Sequence, residues 1–287
     1  MKRFLAAFFL FCTFAATLWA GNDPATPAPD KSQYNLFQPT PIDLLRSFAA
    51  DRPSQSTGPY TVDAGHFYFE TSVVGFLYDE PDARTTVRQW NVLPFNFRLG
   101  LTNNVELDLA YGDYFHVRTR SAGQTTTQSG FGDFILQSKI NLFGNDGGAI
   151  SFGLIPFLKF PTNSGDLGND SIEGGLSVPF QASLPAGFSL GLLSGVNFVR
   201  NGADTRYEAQ FINAVLLSHS LISPKLSAYG EFYSVVTRGD GGGHAAYFDA
   251  GLVYQIRPNA EIDFGCNFGL TKSAPDFQPF TGFAFRF

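Results

Sequence analysis

The sequence predicts an all-β protein: an up-and-down antiparallel transmembrane β-barrel of about twelve strands, preceded by a Pro-rich N-terminal segment. Three observations carry this expectation. Charged residues are only 15% of the 287 positions, against roughly 25% in ordinary soluble domains. Yet the chain holds 32 Phe, 11 Tyr and 30 Gly. Most of it also alternates apolar and polar residues one by one, as half-buried strands do. Finally, no stretch after the first twenty residues approaches the ~18 consecutive apolar residues of a membrane helix. The aromatic content argues against disorder, and a net charge of −6 excludes a basic nucleic-acid binder.

The N-terminus reads as a secretory signal over residues 1–20. Lys2 and Arg3 precede an apolar run from Phe4 to Ala20, and Gly21, Asn22 and Asp23 follow. Cys12 lies inside that run, so the mature chain keeps only Cys266. It therefore has neither an internal disulfide nor a paired-cysteine metal site. Residues 21–64 are a second material, with seven Pro among Asn, Ser, Thr and Gln. Within them only Pro41–Ala50 has the pattern of a short amphipathic helix.

From residue 65 to 287 the alternation sets in. Val105, Leu107, Leu109 and Tyr111 share one face, with Glu106 and Asp108 on the other; Ile262, Phe264, Cys266, Phe268 and Leu270 oppose Glu261, Asp263 and Asn267. The runs number twelve: 65–78, 86–101, 105–118, 130–143, 149–160, 172–184, 188–200, 206–221, 225–238, 245–257, 261–271 and 280–287. Short connections at 102–104, 145–148, 185–187, 222–224 and 258–260 alternate with longer ones at 79–85, 119–129, 161–171, 201–205, 239–244 and 272–279. An even strand count with tight turns on one side and longer loops on the other is the pattern of bacterial outer-membrane barrels. Closure leaves no free edge, so backbone groups pair inside lipid. A soluble sandwich would carry a solvated face rich in Lys and Glu, whereas this chain has six Lys.

The chain ends Phe280-Thr-Gly-Phe-Ala-Phe-Arg-Phe287. Gly282, Phe285 and Phe287 resemble the assembly signal that presents the last strand of such barrels to the insertion machinery. Phe280 stands where a polar residue is usual. The expected partners are therefore outer-membrane lipid, the barrel assembly machinery and a small-molecule solute, without nucleic acid and without a cofactor.

The residues opposite the apolar stripe are the candidate lumen lining: Arg98, Glu106, Asp108, His116, Asp133, Lys139, Lys159, Glu173, Glu208, Glu231, Asp249 and Asp263. Facing lipid at mid-depth, an Arg or Lys would cost ~2–4 kcal/mol. Two readings of the set stand. It forms interior ion pairs that hold a narrow barrel together, or it lines a conduit whose excess of acids disfavours anionic solutes. Catalysis has few candidates. His219 and Ser220 are sequence neighbours, and neighbours on a strand point to opposite faces. The segment Asn163–Asp170 is rich in oxygen ligands but lacks the spaced acids and closing Glu of a calcium loop.

Asp51-Arg-Pro, followed by Tyr60-Thr-Val and Gly65-His66 ahead of the first strand, resembles the opening of a bacterial family associated with a MetA pathway of phenol degradation, whose members are often called transporters. The resemblance covers about residues 46–287. It implies an outer-membrane channel linked to uptake of aromatic or other apolar compounds, and it assigns no binding or catalytic residues. It also raises the expectation that residues 51–64 enter the lumen as a plug, with Asp51 and Arg52 pairing to wall charges; a periplasmic tail is the alternative. For function, a channel giving passive passage to small, aromatic or hydrophobic molecules stands beside a sealed structural or adhesive barrel and an outer-membrane hydrolase.

Overall fold

The computed structural model describes residues 29–287 apart from 113, 166, 169, 202–205 and 240–241. The expected signal peptide over 1–20 and the head of the N-terminal segment lie outside the described residues.

Fifteen strands form one antiparallel sheet. They are β1 (Phe67–Asp82), β2 (Thr85–Val92), β3 (Phe95–Thr102), β4 (Val105–Tyr111), β5 (Tyr114–Ser121), β6 (Gln124–Phe131), β7 (Phe134–Phe143) and β8 (Ile150–Phe160). Then follow β9 (Glu173–Ser183), β10 (Phe188–Arg200), β11 (Tyr207–Ser220), β12 (Leu226–Thr237), β13 (His244–Arg257), β14 (Ala260–Gly269) and β15 (Phe277–Arg286). β15 pairs back onto β1, from Tyr68 opposite Arg286 to Tyr78 opposite Phe277, which closes the sheet. Three staves are each broken in two, as β2/β3, β4/β5 and β6/β7, so the closed barrel has the twelve staves expected.

The breaks correct part of the expected strand pattern. They fall at Leu93-Pro94, between the end of β4 at Tyr111 and the start of β5 at Tyr114, and at Gly132-Asp133, on three adjacent staves. Pro94 has no N–H to give to a ladder, and Leu93 sits at φ 53°. Beyond the breaks β2, β5 and β6 run on as a hairpin extension. The segments 79–85 and 119–129, expected as longer loops, are therefore largely strand. Their turns are Ala83-Arg84 and Ala122-Gly123. The latter pair has φ 49° and 86°, the mirror-image turn that matches strand twist. Thr and Gln fill β6 and read as loop by composition, yet Thr suits a pleated surface.

The distribution of side chains is inverted relative to a soluble protein. The largest buried side chains are charged: Arg98, Lys139, Glu70, Glu106 and Glu231 are at most 2% exposed. The large apolar residues are outside, with Phe264 at 58%, Phe198 at 52% and Leu158 at 49%. Alternation puts them there, since residues i and i+2 share a face. Ring contacts run along this outer face from Phe69 to Phe95, Tyr111, Phe131 and Tyr114, at centroid distances of 5.2–6.1 Å. Such an aromatic, apolar exterior is stable against acyl chains and interfaces, not against water.

Residues 29–66 are the rest of the described chain. The segment 34–38 is stitched to the end of β3, where the Leu36 amide donates to the Leu101 carbonyl at 2.9 Å. The expected helix over Pro41–Ala50 shrinks to one 3-10 turn, Ile42–Leu44. After it the backbone of Arg46 is recruited elsewhere, its amide donating to Asp63 Oδ2 at 2.9 Å, so a helical i−4 bond is forgone. The chain then enters the barrel and returns to the short-turn end before β1 begins.

Candidate functional site in the lumen

The inner limb of the N-terminal segment meets the wall at four stations. At the first, Asp51 docks beside Lys139, whose Nζ lies 2.7 Å from Asp51 Oδ1. Arg98 lies 3.3 Å from Asp51 and 2.8 Å from Glu70, and its Nε donates to Glu106 at 2.9 Å. Strand register builds this cluster. Arg98 on β3 is opposite Asp108 on β4, and Glu106 on β4 is opposite Lys139 on β7. Cross-strand partners point the same way, here into the lumen. At the second station, Arg52 forks onto Asp263 of β14 at 3.0 and 2.8 Å and donates a third bond to Ser72 Oγ at 2.7 Å. Planar bidentate geometry of this kind is among the stronger charge-assisted contacts.

At the third station, Glu231 of β12 accepts the consecutive backbone amides of Gln55 and Ser56 at 2.7 and 2.9 Å. The fourth is the return limb. Asn141 donates to the Pro59 carbonyl at 3.0 Å, Lys139 and Arg98 donate to the Tyr60 carbonyl, and the Val62 amide donates to Glu106. At these stations the segment touches β1, β3, β4, β7, β12 and β14 through polar partners, because backbone amides and carbonyls inside a closed lumen need them; beside them Phe48 packs on Tyr68 of β1 at 4.9 Å. Gly282 serves the same station as Arg52. A Cβ there would lie 2.4 Å from the Arg52 guanidinium and 2.3 Å from the Thr71 carbonyl.

The remaining sequence-nominated residues sort by height. Asp249 accepts the Tyr229 hydroxyl at 2.9 Å, close to Glu231 across the β12–β13 ladder. Lys159, Asp133 and Glu173 form a separate cluster at the long-loop end, with Nζ–O distances of 2.6 and 3.1 Å. Glu208 accepts from Asn201 there, at 2.6 Å. His116 is the exception. Its register partner is Trp90, and its neighbour Tyr114 contacts Phe131, so His116 lies on the outer face and bonds Ser129 at 2.8 Å. The break after Gly112 resets the alternation on which its inward placement rested. Of the terminal residues, Phe287 stacks on Phe67 at 4.6 Å and packs edge-on against Phe285 at 4.5 Å, at the seam where β15 meets β1.

Several contributors are absent from the sequence-based set. Glu70 is the hub between Arg98 and the Asp51 amide, and its alternation with Phe67 and Phe69 could have placed it inward. Lys31 and Arg46 clamp the short-turn end, at 2.8 and 2.9 Å from Asp146. Arg46 also donates to the Asn103 carbonyl and side chain and to the Thr61 carbonyl. Burial opposes the charged form of Asp146, but hydrogen bonds from Asn103, Lys31 and Arg46 outweigh it and hold this carboxyl below its ordinary value of 3.8. No local pattern in a Pro-rich segment announces these contacts.

The fit of segment to wall is uneven. Between the inner limb and the β9–β13 side lies a cavity of about 200 Å³, bordered by Gly191, Leu192, Ser218, Ser227, Ala228 and Tyr229. A second space of about 460 Å³ opens at the short-turn end, and the two share Ala49 and Tyr60 as lining. The ion pairs grip one side of the lumen, while on the other the wall of the gap is neutral, with Gly191, Ser218 and Ala228 beside the larger Phe180, Leu192, Leu216 and Tyr229.

The fold recurs in solved structures. An outer membrane channel from Pseudomonas putida F1 is 12% identical, with a TM-score of 0.56, over 77% of this chain and 94% of that one. The NanC porin is 9% identical, with a TM-score of 0.50, over 75% and 98%. No curated protein matches the chain. The family described as "Putative MetA-pathway of phenol degradation" matches over residues 50–287, which takes in the inner segment from Ala50 onward and the whole barrel; the chain belongs to that family.

Proposed function

We propose that the protein is a bacterial outer-membrane channel for passive passage of small uncharged molecules, aromatic and other apolar ones included, and that residues 48–64 close it at rest. One observation carries this reading. The inner segment is held by discrete ion pairs, Asp51–Lys139 and Arg52–Asp263, beside a gap whose barrel-wall side is neutral. A segment whose only purpose was to fill the barrel would pack apolar side chains against the wall. This one packs Phe48 on Tyr68 at 4.9 Å and buries Val62 and Ala64, but its specific grip on the wall is by ion pairs, whose net worth over the solvated charges is small. Flow follows the gradient, with no cofactor. The P. putida structure is described as an outer membrane channel and the family by phenol degradation, and both agree with small-solute passage.

A sealed structural barrel is the second reading, favoured by how thoroughly the Arg98–Lys139 cluster is buried. Hydrolysis through His219 and Ser220 has less support. The His219 Nε2 faces the Ala186 carbonyl at 3.0 Å and its ring packs tilted against Phe188 at 4.4 Å.

The test is swelling of liposomes that carry the purified full-length protein, with phenol and a sugar of similar size as solutes, alongside planar-bilayer recording. The channel reading expects phenol-driven swelling and discrete current steps. Silence in both assays would leave the sealed barrel. Lipid hydrolysis that disappears in His219→Ala would establish the enzyme instead.

A further inference from the structure

The first station carries more negative charge than its cations balance. Four carboxylates, Asp51, Glu70, Glu106 and Asp108, surround Arg98 and Lys139. Arg98 pairs with Asp51, Glu70 and Glu106, and Lys139 with Asp51 and Glu106. Asp108 receives neither within ion-pair distance: its Oδ2 accepts only the Gln137 amide at 2.8 Å, and its Oδ1, in a fully buried side chain, has no hydrogen-bond partner. An isolated carboxylate oxygen held away from water is costly to leave unmatched. Two unbalanced negative charges in one buried cluster are costlier still.

Oxygens from Asp51, Glu106 and Asp108 all lie within 4.8 Å of one another. An ion with metal–oxygen bonds of ~2.4 Å bridges oxygens up to ~4.8 Å apart, and that bond length belongs to calcium. We infer that these three carboxylates form a calcium site joining the N-terminal segment, through Asp51, to the barrel wall, through Glu106 and Asp108. The ligand set is all oxygen, which selects a hard cation over zinc or copper. The burial of Glu106 and Asp108 leaves little room for the water shell magnesium retains. Two positive charges bring the cluster to neutrality, and the Asp108 carboxylate, which has no cation within ion-pair distance, gains one. Both oxygens of Asp51 and of Glu106 already accept from Lys139, Arg98 or the Val62 amide, so the ion shares these oxygens with them through the remaining lone pairs. The site does not depend on whether the lumen conducts.

The experiment uses full-length protein in detergent, stripped with EDTA and titrated calorimetrically with CaCl2. The expected result is one calcium per chain, with binding weakened at least about tenfold in Asp108→Asn, the scale on which ligand-shell changes act. Heat-modifiable migration on gels verifies that the variant is folded. Should Asp108→Asn not fold, Asp51→Asn makes the same comparison without altering a strand. Absence of calcium binding by the folded wild type would overturn the inference, the charge then being balanced by protons. Equal binding by wild type and variant would overturn it too, placing the ion elsewhere, for instance on the Asn163–Asp170 loop.

Discussion

Replacing Arg52 by alanine removes three hydrogen bonds that hold the inner segment: two to Asp263 at 3.0 and 2.8 Å and one to Ser72 at 2.7 Å. Asp263 has a fully buried side chain, and Arg52 retains 17% exposure. Breaking a buried pair by removing one partner costs about 3–5 kcal/mol. Here the residual exposure of Arg52 argues for the lower end, about 3 kcal/mol. In the variant, each docking of the segment must strip water from Asp263 without restoring a cation to it. At 1.36 kcal/mol per tenfold change, the equilibrium between docked and undocked segment shifts about 100-fold toward undocked. In planar bilayers the open probability of Arg52→Ala should rise by that order where the wild type is mostly closed. Arg52→Lys should fall between the two, because an ammonium cannot fork onto the carboxylate. An open probability within twofold of wild type, in protein whose heat-modifiability shows an intact barrel, would refute the reasoning.

Three further outcomes follow from the geometry. Gly100→Ala would set a Cβ 2.2 Å from the Asp63 carbonyl oxygen and 2.7 Å from that of Val62; the return limb must shift, costing about 1–3 kcal/mol, which the midpoint of urea unfolding in detergent measures. The clamp on Asp146 should weaken in acid: its folded value is depressed below 3.8, so its contribution is present above that pH and is lost as pH falls through the lower, folded value. Limited proteolysis within residues 29–47 should therefore accelerate in that acid range, and the acceleration should be smaller in Asp146→Asn, where Asp63 still holds Lys31 and Arg46. Phe287→Ala loses the stack on Phe67 and the edge contact with Phe285, aromatic pairs worth about 0.5–1.5 kcal/mol each beyond area. Quantitative immunoblotting should show less heat-modifiable barrel at unchanged expression.

The barrel was legible because its physics is local. Alternation along Val105–Tyr111 or Glu261–Leu270 states which face is apolar, and a twelve-stave closure follows from counting such runs between turn residues. The breaks were not legible. Leu93-Pro94 and Gly132-Asp133 interrupt runs of suitable composition; only the pairing of β2 and β3 with β1, and of β6 with β5 and β7 with β4, shows that the chain resumes on the same stave. His116 was lost at such a break, since a phase shift of one residue exchanges the faces. Asp108, Lys139 and Asp263 could be assigned to the inner face, but which charges meet depends on register between strands far apart in sequence. The docking of Asp51 and Arg52 rests on contacts as distant as Arg52 to Asp263, which no spacing rule encodes. Lys31, Arg46 and Asp63 were missed for the same reason.

On the proposed reading, the segment ahead of β1 closes a lumen that is otherwise passable. Single-channel conductance of the chain lacking residues 22–60, compared with the full-length protein in the same bilayer, tests it most directly. That deletion removes Asp51, Arg52 and the amides held by Glu231. A large, steady conductance in the deleted chain against small or rare openings in the full one is the predicted result. Equal conductance in the two would contradict the account.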